Sequence, residues 1–199
     1  MAKQSNHSAA LKRAFEFAWL RMIAENEAES IRHVNESVYR YFFVSALKTI
    51  VGPGACEDEW KRIDLLIRGD GEQTAVEFKF YDSRPFRHLK DSPVHHKGKP
   101  GKGNREEFAR SLDDLMKLHE PGRNKWYESE AANFTEHYFV LVGVDLLVNS
   151  KLCFSEHYLP ERVKAWSDYK LKFLANRQYR FDGLGEKLFV FGWLARVTE

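Results

Sequence analysis

The chain is predicted to fold as one mixed α/β (α+β) domain over residues 1–199, with a mixed central sheet flanked by helices. Three observations predict it. At 199 residues with 43% hydrophobic content the chain can bury one sizeable core, which fifteen Phe, eight Tyr and five Trp enlarge. Helical and strand periodicities follow one another in the order helix, strands, helix, strand. Neither an internal repeat nor a clear linker divides them.

Residues 8–28 carry Leu11, Phe15, Ala18, Trp19 and Met22 at helical spacing. A second helical run covers about 29–50 and ends before Gly52-Pro53-Gly54, a strong breaker. A short strand is predicted near 55–60. Two apolar, β-forming runs follow, Ile63 to Ile67 and Ala75 to Tyr81, and the Asp70-Gly71 between them signals a tight hairpin. With those two as turn residues, Gly69 pairs with Glu72 and Asp64 falls opposite Glu77. Residues 82–104 form a long polar segment with Pro85, Pro93 and Pro100, of a length that is uncommon in compact domains. Residues 104–119 place Phe108, Leu112, Leu115 and Leu118 on one side of a helix. Residues 137–147 read as a strand buried on both faces. A helix is predicted near 158–171 and a last buried strand at 187–197.

A net charge of +2 excludes a chain that grips nucleic acid over its whole surface, so any basic binding face must be local. Two cysteines, Cys56 and Cys153, make no disulfide framework, which suits a reducing cytoplasm. No charged-then-apolar leader opens the chain, and its apolar stretches are strand-sized. A cytoplasmic protein with no membrane contact is expected.

The hairpin carries the chemistry. Alternation puts Ile63, Leu65 and Ile67 on one face with Val76, Phe78 and Phe80, and that face packs. The other face takes Asp64, Leu66 and Arg68 with Ala75, Glu77, Lys79 and Tyr81. Two carboxylates directly across a ladder repel each other. A hard divalent cation would resolve the conflict, because Mg²⁺ takes one or two carboxylates and keeps several waters. Lys79 beside the pair can orient a water or neutralise charge developing on a phosphate.

In these residues the chain resembles the PD-(D/E)XK, or restriction-endonuclease-like, nuclease superfamily. The matching features are Asp64 on one strand, Glu77-Phe78-Lys79 on the next, a preceding helix bearing Glu36 and a following helix at 104–119. Ile63 stands where the family motif has proline. The resemblance spans about residues 29–147 and implies an αβββαβ core. It implies Mg²⁺ or Mn²⁺ held by Asp64 and Glu77, with the Phe78 carbonyl as a further ligand. Lys79 is then near the attacking water, and Glu36 supports the metal. The implied reaction is hydrolysis of a phosphodiester in DNA, leaving a 5′-phosphate.

Each of these residues also has a plainer role. Lys79 and Glu77 can form an ordinary ion pair, worth about 0–1 kcal/mol when exposed. Glu36 can pair with Arg40 one turn on. Lys97, Lys99, Lys102 and Arg105, in a segment rich in Pro and Gly, suit sequence-independent contact with DNA phosphates. They suit a solvated connection equally. His95-His96, with no third ligand nearby, are a weak metal signal. Asp113 and Asp114 fit a solvated helix face and Asp145 a turn cap. Phe189, Phe191 and Trp193 fit either the core or the surface of a homodimer. Two function classes stay open. One is a metal-dependent nuclease; the other is a nuclease-fold module that binds nucleic acid, or assembles with a partner protein, without cutting.

Overall fold

The computed structural model describes residues 6–24, 34–60, 63–69, 71–82, 85–86, 95–96, 102–119, 134–148, 151–152, 155–183 and 186–199. Two helices come first, α1 (Asn6–Ala24) and α2 (Glu36–Val51). The predicted stripe of α1, Leu11, Phe15, Ala18, Trp19 and Met22, is buried. Asn35 caps α2, its side chain accepting the Val38 N–H at 3.0 Å, which satisfies one of the free donors of the first turn. Gly52 ends α2 at φ +94°, a conformation that side chains rarely adopt.

Three antiparallel strands follow: β1 (Cys56–Trp60), β2 (Ile63–Gly69) and β3 (Glu72–Asp82). The β2–β3 ladder has the predicted register, from Gly69 opposite Glu72 to Leu65 opposite Val76. Gly71 lies in the turn at φ +79°. A two-residue ribbon pairs β4 (Pro85–Phe86) with β5 (His95–His96), so the long polar segment is not wholly a loop. Next come α3 (Lys102–Met116), a 3₁₀ turn (Lys117–His119) and β6 (Phe134–Val148). β7 (Lys151–Leu152) pairs with the end of β6, and α4 (Pro160–Val163) lies between 3₁₀ turns. The hairpin of β8 (Lys170–Gly183) and β9 (Glu186–Thr198) ends the chain. The sheet order is β1-β2-β3-β6-β9-β8, with β3 and β6 parallel across the α3 connection and its other neighbours antiparallel. This is a mixed α/β fold with a six-strand mixed sheet flanked by helices.

Both faces of the sheet are covered. Against α1 and α2 pack Leu65, Ile67, Val76, Phe78 and Phe80, with Tyr138, Val140 and Val142 of β6. Against α3 pack Leu66, Ala75 and Tyr81, with Phe139 and Leu141 of β6. Alternation along β6 therefore feeds two cores, as its unbroken apolar run predicts. Ile63 departs from the predicted face and joins the α3 cluster; it lies beyond the last β2–β3 ladder pair, where the pleat no longer holds its direction.

Two further expectations are corrected. The helix expected at 158–171 shrinks to α4 and short turns, and β8 takes over from Lys170. Leu171 and Phe173 alternate, but a register shift between Phe173 and Ala175 breaks the period-two pattern and hides the strand in the sequence. Asp145, expected as a turn cap, sits inside β6 opposite Phe189 and is 1% exposed. Phe189, Phe191 and Trp193 are buried core residues in this chain. Among the described residues, no helix is long and apolar enough to cross a membrane.

Candidate functional site

The site begins where the β2–β3 ladder stops. In an extended strand the N–H and C=O of one residue point to the same edge, and alternate residues share that edge. Past Val76, the amides of Phe78 and Phe80 face the side that β2 has left. A buried N–H without a partner is costly. Two carboxylates supply the partners. The Phe78 N–H donates to Asp64 Oδ2 at 2.7 Å, and the Phe80 N–H donates to Glu36 Oε2 at 3.2 Å. The Phe78 carbonyl points to that same edge. Glu36 is the first residue of α2, where the helix dipole favours an anion. Phe43, two turns along α2, meets the Phe78 ring edge-on at 5.1 Å and holds the helix on the strand.

Glu77 and Lys79 project from the other face of β3 and lie together, Lys79 Nζ donating to Glu77 Oε1 at 2.9 Å. Both side chains are mostly buried, at 17% and 23% exposure. Burial pushes the Glu77 carboxyl up first, then Asp64; Lys79 pulls it down and Glu36 adds a smaller upward push, leaving it at about 7. The Lys79 ammonium is opposed by burial but held above its ordinary range, chiefly by Glu77, then by Asp64 and Glu36. Three carboxylates and one lysine thus share a single field. Tyr81, next on this face, is buried against Tyr158 at 4.0 Å between ring centroids and against Phe108 of α3 at 6.1 Å, a packing role. Burial is the main cause that raises its phenol.

Asp64 and Glu36 thus each reach an amide of β3, while Glu77 pairs with Lys79 on the same stretch of that strand. Arg40, weighed in the sequence only as a partner of Glu36, turns instead to β1 and β2. It donates to Asp64 Oδ1 at 2.8 Å and to Glu59, with Asp58 3.7 Å away. The run Glu57-Asp58-Glu59, three acids on a strand beside Asp64, is the sequence signal that would have found it. Asp113 accepts from Tyr169 Oη at 2.7 Å and pairs with Lys117, so its face is not merely solvated. Lys97 and Lys99 lie outside the described residues. Lys102 and Arg105 belong to the first turn of α3, which starts before the predicted boundary, and not to a loop.

The donors at this edge are hard oxygens, which suit Mg²⁺ or Mn²⁺. Among the described residues no three His, Cys, Asp or Glu side chains already converge as a metal cluster. Arg40 engages Asp64 and Lys79 engages Glu77, so the donor chemistry fits a divalent cation while each principal carboxylate holds an internal cation instead. Comparison of the chain with protein families, curated proteins and solved structures finds no match.

Proposed function

We propose that the chain is a Mg²⁺- or Mn²⁺-dependent phosphodiesterase acting on DNA, built on a restriction-endonuclease-like core. The observation that carries this reading is the gathering of Asp64 on the Phe78 amide, Glu36 on the Phe80 amide and Glu77 on Lys79 where β2 and β3 part, with Glu77 pushed up to about 7 by burial first and Asp64 second. Perturbation by burial and like charge gathers at functional sites, where acids and bases are tuned to their task. The element order α2-β1-β2-β3-α3-β6, with β3 parallel to β6, agrees with the αβββαβ core that the resemblance implies.

Asp64 and Glu77, with the Phe78 carbonyl, are the residues to hold the cation, and Glu36 steadies the Phe80 amide beside them. When bound, the cation supplies Lewis-acid stabilisation of a phosphoryl oxygen and lowers the pKa of water. Lys79 places an ammonium beside the reacting phosphate, where it orients the attacking water and offsets developing charge. Water oxygen bonds to phosphorus, the P–O3′ bond breaks, and the products are a 5′-phosphate and a 3′-hydroxyl. The basic residues at 97–105 contact backbone phosphates.

Incubating the purified chain with single-stranded, duplex and branched DNA, in Mn²⁺ or in EDTA, tests the reading. Cleavage is expected with Mn²⁺ only, and is lost in Asp64→Asn and Lys79→Ala. One observation favours a second reading, a nuclease-fold module that binds or assembles without cutting: the Asp64 carboxylate is already satisfied by Arg40 and the Phe78 amide. DNA retention with no cleavage of any substrate would decide for that module.

A further inference from the structure

The side chain that most constrains this site is not among its candidate ligands. Arg40 lies on α2 one turn after Glu36 and is 14% exposed. Its fork faces three carboxylates. Nη1 donates to Asp64 Oδ1 at 2.8 Å, Nη2 donates to Glu59 Oε1, and Nε lies 3.7 Å from Asp58 Oδ1. Asp64 belongs to the candidate site. Asp58 and Glu59 stand outside it on β1, at 44% and 71% exposure. Glu59 adopts φ +55°, a conformation that a residue with a β-carbon takes only when its surroundings hold it there. Its contact with Arg40 is one such restraint.

We propose that Arg40 is a positioning residue that sets the affinity of the Asp64–Glu77 site for a divalent cation: it holds Asp64 in the metal-free protein and falls back on Asp58 and Glu59 when the cation binds. The inference rests on the metal-site reading above. The guanidinium stays charged at any working pH. Asp64 Oδ2 accepts the Phe78 amide, so Oδ1 is the oxygen for which Arg40 and an incoming cation compete. Positive charges brought to one largely buried carboxylate repel more strongly than in water. Release is cheap in geometry, because the guanidinium already touches Glu59 and lies close to Asp58. Arg40 also accounts for how Asp64 and Glu77 coexist without metal: it balances one as Lys79 balances the other.

Calorimetric titration with Mn²⁺, paired with thermal melting, tests the proposal, and loss of the signal in Asp64→Asn assigns it to this site. Arg40→Gln is expected to bind Mn²⁺ at least tenfold more tightly than the wild type. It should melt at a lower temperature in EDTA and gain more from Mn²⁺. Glu59→Gln, an exposed change that spares the fold, is expected to weaken Mn²⁺ binding several-fold, because Arg40 then settles on Asp64. Glu57→Gln removes the same charge from β1 but pairs with Arg68, so it controls for simple loss of attraction. Equal or weaker binding by Arg40→Gln overturns the proposal and leaves the metal site standing. Should that variant fail to fold, equal weakening by Glu59→Gln and Glu57→Gln overturns it. Absence of Mn²⁺ binding in every protein, Arg40→Gln included, overturns the metal site and this inference together.

Discussion

Two antiparallel hairpins of this chain start alike and finish in opposite ways. Asp70-Gly71 separates β2 from β3, and Leu184-Gly185 separates β8 from β9. The β8–β9 ladder then runs from Gly183 opposite Glu186 to Lys170 opposite Thr198, interrupted by one register shift. The β2–β3 ladder stops at Leu65 opposite Val76, and side-chain carboxylates take the next amides of β3. Where backbone satisfies backbone, side chains are free to build the core, and β9 contributes Trp193, Phe191 and Leu194 to it. Where the ladder fails, side-chain carboxylates pair with the amides instead, and the acids crowd together. The candidate site is thus a consequence of incomplete strand pairing.

The contrast is sharpest in a substitution on the closed side. Trp193 is fully buried among Phe108, Phe139 and Phe173, and its indole N–H donates to the Tyr158 carbonyl at 2.8 Å. Trp193→Ala is expected to cost about 3–5 kcal/mol in denaturant unfolding, from the cavity and the orphaned carbonyl together. On the open side, Lys79→Ala is expected to slow single-turnover cleavage by about 10²–10³, roughly 3–4 kcal/mol. It should leave Mn²⁺ binding largely intact. Full cleavage by that variant, in a preparation free of other nucleases, would remove Lys79 from the mechanism.

Glu77 makes the open hairpin sensitive to pH. Its folded pKa is raised to about 7 from 4.5, so between those values the folded chain binds more protons than the unfolded one. Stability of the metal-free protein should therefore fall as pH rises from 4.5 to 7, by at most about 3 kcal/mol at 1.36 kcal/mol per unit, and level off above. Lys79 is held above its ordinary range and does not change charge in that window. Glu77→Gln should abolish the decline, and urea unfolding in EDTA at several pH values measures it. A flat wild-type profile would show that burial and the Asp64 charge do not raise Glu77.

A smaller effect belongs to the closed side again. A β-carbon on Gly143 of β6 would lie 2.3 Å from the Phe191 ring, so Gly143→Ala should destabilise by about 1–3 kcal/mol through forced repacking. Least of all in folding energy, Lys97, Lys99 and Lys102 changed together to Ala should leave stability unaltered. Binding should weaken alike on every duplex sequence, and the salt dependence should flatten by about 0.9 per lost phosphate contact. An unchanged slope would place the DNA track elsewhere.

Much of the open hairpin was legible from local pattern. Alternation and the Asp70-Gly71 turn predicted its register, but the expected Asp64–Glu77 pair does not form, because the ladder stops at Leu65 and Val76 and Asp64 turns to the Phe78 amide and Arg40. β8 was not legible, because its register shift breaks the alternation that betrays a strand. Lys102 was assigned to a loop because glycines and prolines precede it, yet α3 begins there.

By itself, the sequence determined the main elements as far as β6, the first hairpin's register and the acids on its strands, since turn residues and period-two alternation act over a few neighbours. Only the tertiary structure decided what those acids touch. The seat of α2 on the sheet sends Glu36 to the Phe80 amide and Arg40 to Asp64 and Glu59, contacts between residues 19 to 44 positions apart. Such contacts depend on how a helix lies across strands, which is set by the packing of Phe43 on Phe78 and the rest of that core, and no local pattern encodes it.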